Sequence, residues 1–279
     1  MTRVRRPRKG AQRRAGADAG MPWQLGIPAL IGAPFLLLPL LALVLSAPWA
    51  TLPEHLSEPV ARDALRLSVL CATSAAAIAV IVGVPLAWVL ARPGLPGLSL
   101  LRAFVTVPLV LPPVVGGVAL LKGLGRNGIV GRWLDDAFGL TLPFTTAGVI
   151  VAEAFVATPF LVLAMEGAFR SVDSGLEEAA TTLGAGRWHV FTRVTLPSVI
   201  PGLIAGGVLA WARALGEFGA TITFAGNSPG RTTTMPIAVY LAMESDPDAA
   251  VALSLVLLFV AVVILALLRG RWLTAGAGG

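Results

Sequence analysis

Arg213 and Glu217 lie four residues apart in an otherwise apolar stretch from Val199 to Phe224. On a helix that spacing places both side chains on one face, where they can meet. If a span begins near Val199, Arg213 sits about 20 Å along it at about 1.5 Å per residue. A charge at that depth costs roughly 3 kcal/mol or more, and such charges pair or face water. Two chemistries fit. In one, Arg213 lines a pathway and lends positive potential to an anion, Glu217 tempers the grip, and Thr221 adds a hydroxyl. In the other, the pair is a structural tie between helices, kept because removing one partner strands the other. Glu153 is equally expensive in lipid and is expected to face the protein interior, whereas Glu166, nearer a span end, is expected to reach the headgroups. Thr223, Thr232, Thr233 and Thr234 offer further hydroxyls, which on helices more often bond to backbone.

No reactive constellation accompanies these charges. Cys71 is the only cysteine and lies in an apolar stretch, so one chain has neither a disulfide nor a thiolate cluster, and the residue reads as a small buried apolar group. His55 and His189 stand alone without metal-ligand spacing. There is no Ser/His/Asp or Cys/His set for nucleophilic chemistry and no Gly-x-x-x-x-Gly-Lys-Ser/Thr phosphate cradle. The chain is therefore expected to be no enzyme and to carry no cofactor, with any ATP hydrolysis done by a partner.

A second polar feature runs from Arg170 to Pro201 between strongly apolar segments. Asp173 or Ser174 can cap a helix in which Glu177 and Glu178 favour the positive end of the dipole. Ala179, Ala180, Thr181 and Thr182 continue it with small side chains, and Gly184 and Gly186 provide its exit. A second short helix, Trp188 to Val194, is expected to close at Pro197 and Pro201. A rigid, exposed helix with a small-residue face lets a partner surface come close. The plainer reading is a solvated connection between spans.

The elements that must position these groups are membrane helices. The 279 residues are 56% hydrophobic and only 13% charged, with a mean hydropathy of +0.82, too apolar for an ordinary soluble domain. Crossing a hydrocarbon core of about 30 Å takes about 20 apolar residues as helix. Six spans are marked at Ile27 to Leu45, Leu65 to Ala91, Ala103 to Leu121, Ala147 to Phe169, Val199 to Phe224 and Ala249 to Leu268. The domain reading follows: a basic, disordered tail at 1–22, a first span with its outer loop at 23–64, a core at 65–268 carrying the loop 170–201, and a tail at 269–279.

A net charge of +6 invites a nucleic-acid reading, but no basic stripe is interleaved with aromatics on a soluble fold. The basic residues instead follow topology. Arg92, Arg102, Arg170, Arg187, Arg193, Arg269 and Arg271 share a side with the basic amino-terminal tail, against Arg62, Arg66, Lys122, Arg126, Arg132 and Arg231 on the other. That bias puts both termini in the cytoplasm of a multi-pass plasma (inner) membrane protein. A signal peptide competes for the first apolar run, which is long for a signal core, so a retained span is expected. Pro85, Pro108, Pro112, Pro113 and Pro159 are expected to kink or break their spans, and pairs such as Gly202 with Gly206 permit close helix contact. Met235 to Met243 is apolar enough for a short helix at the outer surface.

The loop carries a longer pattern: Glu178, Ala179, Ala180, three residues, Gly184, nine residues, Val194, one residue, then Leu196 and Pro197. It resembles the loop by which ABC import permeases engage their ATPase. From about Leu65 to Leu268 the chain is similar to permease subunits of type I ABC importers for tetrahedral oxyanions, most closely the molybdate permeases. Leu111 to Val115, Arg126 to Gly128, Ala212 to Thr221, Gly226 with Asn227, and Thr234 to Pro236 carry the resemblance. Sulfate permeases share the Arg, Gly, Glu frame, but Glu217 to Thr221 followed by Ile222, Thr223 and Phe224 looks more like molybdate. The resemblance implies an all-α type I ABC importer permease fold and a homodimer enclosing the pathway. It implies an extracytoplasmic oxyanion-binding protein as donor and a separate ATPase that holds ATP and Mg. It also implies an ATPase-coupling helix over Glu178 to Gly184. Val194 replaces the commoner isoleucine conservatively. Sulfate or tungstate as cargo, or an ion-coupled secondary transporter, are the alternatives.

Overall fold

A computed structural model describes residues 23–92, 94 and 96–275. The tail expected at 1–22 lies outside the described residues, as do the last four positions of the chain. Among the described residues the protein is all-helical with no strand. One compact unit ends at Ala47 and contains α1 (Trp23–Leu45), an apolar helix long enough over Gly26–Leu45 to cross a membrane. The second unit runs from Pro48 onward and contains the rest.

Four further segments of the second unit are long and apolar enough to span: α3 (Pro59–Ala91), α7 (Thr146–Arg170), the continuous segment Arg187–Leu215, and the Pro247–Ala266 part of α13 (Pro247–Ala275). The third expected span departs from this pattern. It is two helices, α4 (Leu98–Val110) and α5 (Pro113–Leu124), separated at Leu111 and Pro112. Both residues are extended there. Pro113 has no amide to offer the preceding turn, and Pro112 bars the residue before it from helical geometry. Pro85, Pro108 and Pro159 instead sit inside unbroken helices, so the tandem proline breaks the chain where single ones do not. A further short helix, α2 (Leu52–Ser57), precedes α3, and α6 (Gly131–Phe138) follows α5. Between α5 and α6 the chain folds back, with Ile129 N donating to Lys122 O and Val130 N to Gly123 O, which serves two carbonyls that the helix end leaves open.

The core forms where α3 packs on α7 and α10 (Leu196–Leu215) packs on both. Alanines line the contact face of α3 at Ala72, Ala75, Ala79 and Ala87, all with no exposed surface, against Ala157, Leu161, Val162 and Met165 of α7. Small residues let the backbones approach where lipid supplies no hydrophobic drive. At Gly202 a side-chain carbon would meet Ala168 Cβ at 2.6 Å, and at Gly206 it would meet Ala164 Cβ at 2.9 Å. Two four-residue steps in opposite chain directions thus make an antiparallel seam between α10 and α7. The large apolar side chains left exposed, such as Ile81, Val82 and Leu163, lie on the outer faces of the same helices.

The fifth expected span also ends early. Helix α10 stops at Leu215, and α11 (Gly219–Ala225) begins after a turn at Gly216 to Phe218. The short helix expected over Met235 to Met243 is α12 (Met235–Ser245), packed with Ala61, Ala64 and Leu253.

Candidate functional site

The loop between α7 and α10 contains the helix α8 (Ser174–Thr182). Asp173 is its cap, with Oδ1 accepting from Gly175 N at 2.9 Å. Gly184, at φ +86°, ends it: Ala185 N donates to Ala180 O and Gly184 N to Thr181 O. That six-to-one and five-to-two pair needs a left-handed residue, which glycine supplies without strain. The expected stop at Pro197 does not occur. Helix α9 (Arg187–Val190) runs through a wide π turn, Phe191–Thr195, straight into α10, where Pro197 sits in the first turn. The π turn changes the bonding register just ahead of Pro197, where its missing amide would otherwise interrupt the ladder. Leu196 therefore packs on the core at the base of a spanning helix, while Pro197 stays exposed.

The two neighbouring glutamates of α8 point to different environments. Glu178 is exposed together with Ala179 and Gly184, whereas Glu177 is turned inward. Arg92, the residue after α3, donates from Nη1 and Nη2 to the two Glu177 oxygens, each at 2.9 Å. Thr195 Oγ1 donates a short hydrogen bond to Glu177 Oε1. Trp88, one turn earlier on α3, lies under the guanidinium at 5.0 Å. Burial pushes the Glu177 carboxyl up, but the Arg92 and Thr195 hydrogen bonds and the Arg92 charge outweigh it and hold the group below the usual carboxylate range.

The intramembrane charges lie at the break between α10 and α11. Arg213 Nη1 stands 2.7 Å from Glu217 Oε2, and Glu217 Oε1 accepts from Ala220 N at 2.9 Å in the first turn of α11. One carboxylate thus pairs with the end of one helix and caps the start of the next. Glu217 keeps 1% of its side chain exposed and Arg213 keeps 29%, with Phe160 under the guanidinium. Thr221 is fully buried, and its hydroxyl has no hydrogen-bond partner among the described residues. Glu153 is buried in α7. Glu166 does not reach headgroups: it is 6% exposed, with Arg102 Nε donating at 3.0 Å and Arg170 Nη2 at 2.7 Å. Its neighbours on α4 and at the end of α7 were near enough to pull it inward, which spacing within one helix does not reveal.

Residues 83–275 match the family described as binding-protein-dependent transport system inner membrane component. The chain belongs to that family. The ion-coupled alternative falls with this membership. Among relatives, the chain is 46% identical over 244 residues to the molybdenum transport system permease protein ModB of Mycobacterium tuberculosis, covering 88% of this chain and 92% of that one. It is 36% identical to the sulfate transport system permease protein CysT of Escherichia coli, covering 88% of this chain and 90% of that one. In fold it resembles a chain of a bacterial ABC transporter that imports alginate, with a TM-score of 0.69, 19% identity, and 89% and 93% of the two chains covered. A chain of the MetNI methionine ABC transporter aligns at a TM-score of 0.55 and 18% identity, over 74% of this chain and 94% of that one. The fold is that of type I ABC importer permeases.

Within this binding-protein-dependent permease, the residues named from sequence fall into two groups. Glu177, Glu178, Ala179, Ala180 and Gly184 share α8 and its exit, while Leu196 and Pro197 belong to the base of α10. Arg213 and Glu217 pair at the helix break instead of along one straight helix, with Thr221 in the first turn of α11. Sequence reasoning missed Arg92 and Trp88, which lie far from Glu177 in the chain, and Thr195, 18 residues beyond it in the same loop. The lone arginine at the end of an apolar run was their only signal. It also missed Leu183 and Trp188, which are 88% and 75% exposed beside α8. Large apolar residues in a polar loop were the available sign of a contact surface.

Proposed function

We propose that this permease is the membrane-spanning subunit of an ATP-driven importer for molybdate. The observation that carries the cargo is the 46% identity to ModB over 88% of the chain. Two copies enclose the pathway, and an extracytoplasmic oxyanion-binding protein delivers the anion. A separate cytoplasmic ATPase, which holds ATP and Mg, docks on α8; the permease itself carries no cofactor. The exposed Glu178, Ala179, Leu183 and Trp188 suit such a docking face, and the distribution of arginines favours both termini on the same, cytoplasmic side.

Arg213 faces the pathway, and Glu217 holds it there. The difference in exposure within the pair supports this division: the carboxylate is buried and doubly engaged, and the guanidinium stays accessible. A half-compensated arginine attracts a dianion without binding it tightly, as passage requires.

Sulfate is the second reading, supported by the 36% identity to CysT over 88% of the chain. Both anions are tetrahedral dianions, and tungstate shares their shape. Uptake of labelled molybdate by the reconstituted complex with its binding protein, against excess sulfate, decides between them. Molybdate uptake that resists sulfate supports the proposal; uptake abolished by sulfate transfers the assignment to sulfate.

A further inference from the structure

We infer that Arg92 is a positioning residue that transmits movement of α8 to the spanning helices. The inference rests on the reading of α8 as the ATPase docking helix. No residue of α8 is buried, so the helix is not held by core packing. A cavity of about 320 Å³ lies beneath it, lined by Trp88, Arg92, Glu177, Thr181, Arg187 and Phe191 among others. Across that gap, among the described residues, the side-chain hydrogen bonds from α8 to the spanning helices all run through one carboxylate. Glu177 meets Arg92 with both oxygens at 2.9 Å and also accepts from Thr195.

Those two partners stand at the ends of two different spans. Arg92 follows directly on α3, and Thr195 closes the π turn that leads into α10. A planar guanidinium gripping both carboxylate oxygens fixes orientation as well as distance, which a single contact does not. Trp88 beneath the guanidinium limits its swing. The same end of α3 is anchored to its neighbours, because Arg102 Nη2 donates to Leu90 O at 3.0 Å while its Nε holds Glu166 of α7. A displacement of α8 therefore reaches α3 and α10 through Glu177, and α4 and α7 through the end of α3. Glu178, the next residue, points away and stays open to a partner. Adjacent glutamates divide the work: one faces the ATPase and one faces the membrane helices.

The test uses the full complex of permease, ATPase and binding protein in proteoliposomes, with labelled molybdate as the probe. Arg92→Gln should keep the ATPase subunit bound and hydrolysis within about twofold, while molybdate imported per ATP falls about fivefold or more. Reversal of the pair, Arg92→Glu with Glu177→Arg, should restore part of that ratio, and Arg92→Lys should fall between. An unchanged ratio in Arg92→Gln overturns the inference. So does a fallen ratio that neither the reversal nor Arg92→Lys recovers, because that outcome reports damage to the fold. Glu178→Lys, assayed in parallel, separates the two readings. If it leaves the ATPase bound, the docking assignment fails whatever Arg92 does; if it releases the ATPase while Arg92→Gln does not, docking and transmission are distinct.

Discussion

Arg102 of α4 stands 2.7 Å from Glu166 of α7 and joins two helices that the chain separates by a helix break, α5 and α6. The carboxylate is nearly buried, so the arginines beside it supply the hydrogen bonds that solvent cannot. Arg102→Gln should lower the unfolding free energy by about 2 kcal/mol, the scale of a hydrogen bond to a charged group. Arg170→Gln, whose side chain is 54% exposed, should cost less than about 1 kcal/mol. Thermal unfolding in detergent compares the two, and equal losses would contradict the assigned burial.

The seam between α10 and α7 makes a sharper contrast. Gly202→Val must displace Ala168 or tilt the helix and should cost roughly 1–3 kcal/mol. At Gly207 nothing lies within 4 Å of an added carbon, so Gly207→Ala should be neutral or slightly stabilising. The same unfolding measurement reads both.

Acid should loosen α8. The Glu177 carboxyl is held below its usual range, so the folded state binds its proton less readily than the unfolded chain does. Its contribution is fully present above the ordinary carboxylate range and is lost as the pH falls through the lowered folded value. A spin label at Ala179 should gain mobility on going from neutral to acid pH. Glu177→Gln should be mobile throughout, with a flatter response.

Arg213→Gln should lower uptake about tenfold, the scale of removing one charge that meets the cargo in transit, while assembly with the ATPase persists. Loss of folding, read by size-exclusion chromatography in detergent, would make the pair a tie between helices and remove Arg213 from the pathway.

Much of the architecture was legible in the chain. Five of the expected spans correspond to long apolar helices because a bilayer demands about 20 apolar residues in a row, and that demand is written locally. The capped, glycine-ended α8 was legible for the same reason: Asp173 and Gly184 act on their own backbone neighbours. The break at Pro112 and Pro113 was half legible, since proline announces a defect without saying whether the helix bends or stops. Pro85 and Pro159 carry the same chemistry and leave their helices whole.

The partners of the charges were not legible. Local periodicity placed Arg213 near Glu217, yet it extended one helix through a turn where Glu217 caps another. Arg92 meets Glu177 only when α8 lies against the end of α3, and Arg102 meets Glu166 only when α4 packs on α7. By itself the sequence determined a multi-pass helical membrane protein, the position of its polar loop and the family pattern within it, because hydropathy and capping act over a few residues. Tertiary structure alone decided which glutamate of that loop faces inward and which arginine holds it. Those choices depend on helix ends that meet in space after a separation of 85 residues, and no short-range rule of the chain encodes that meeting.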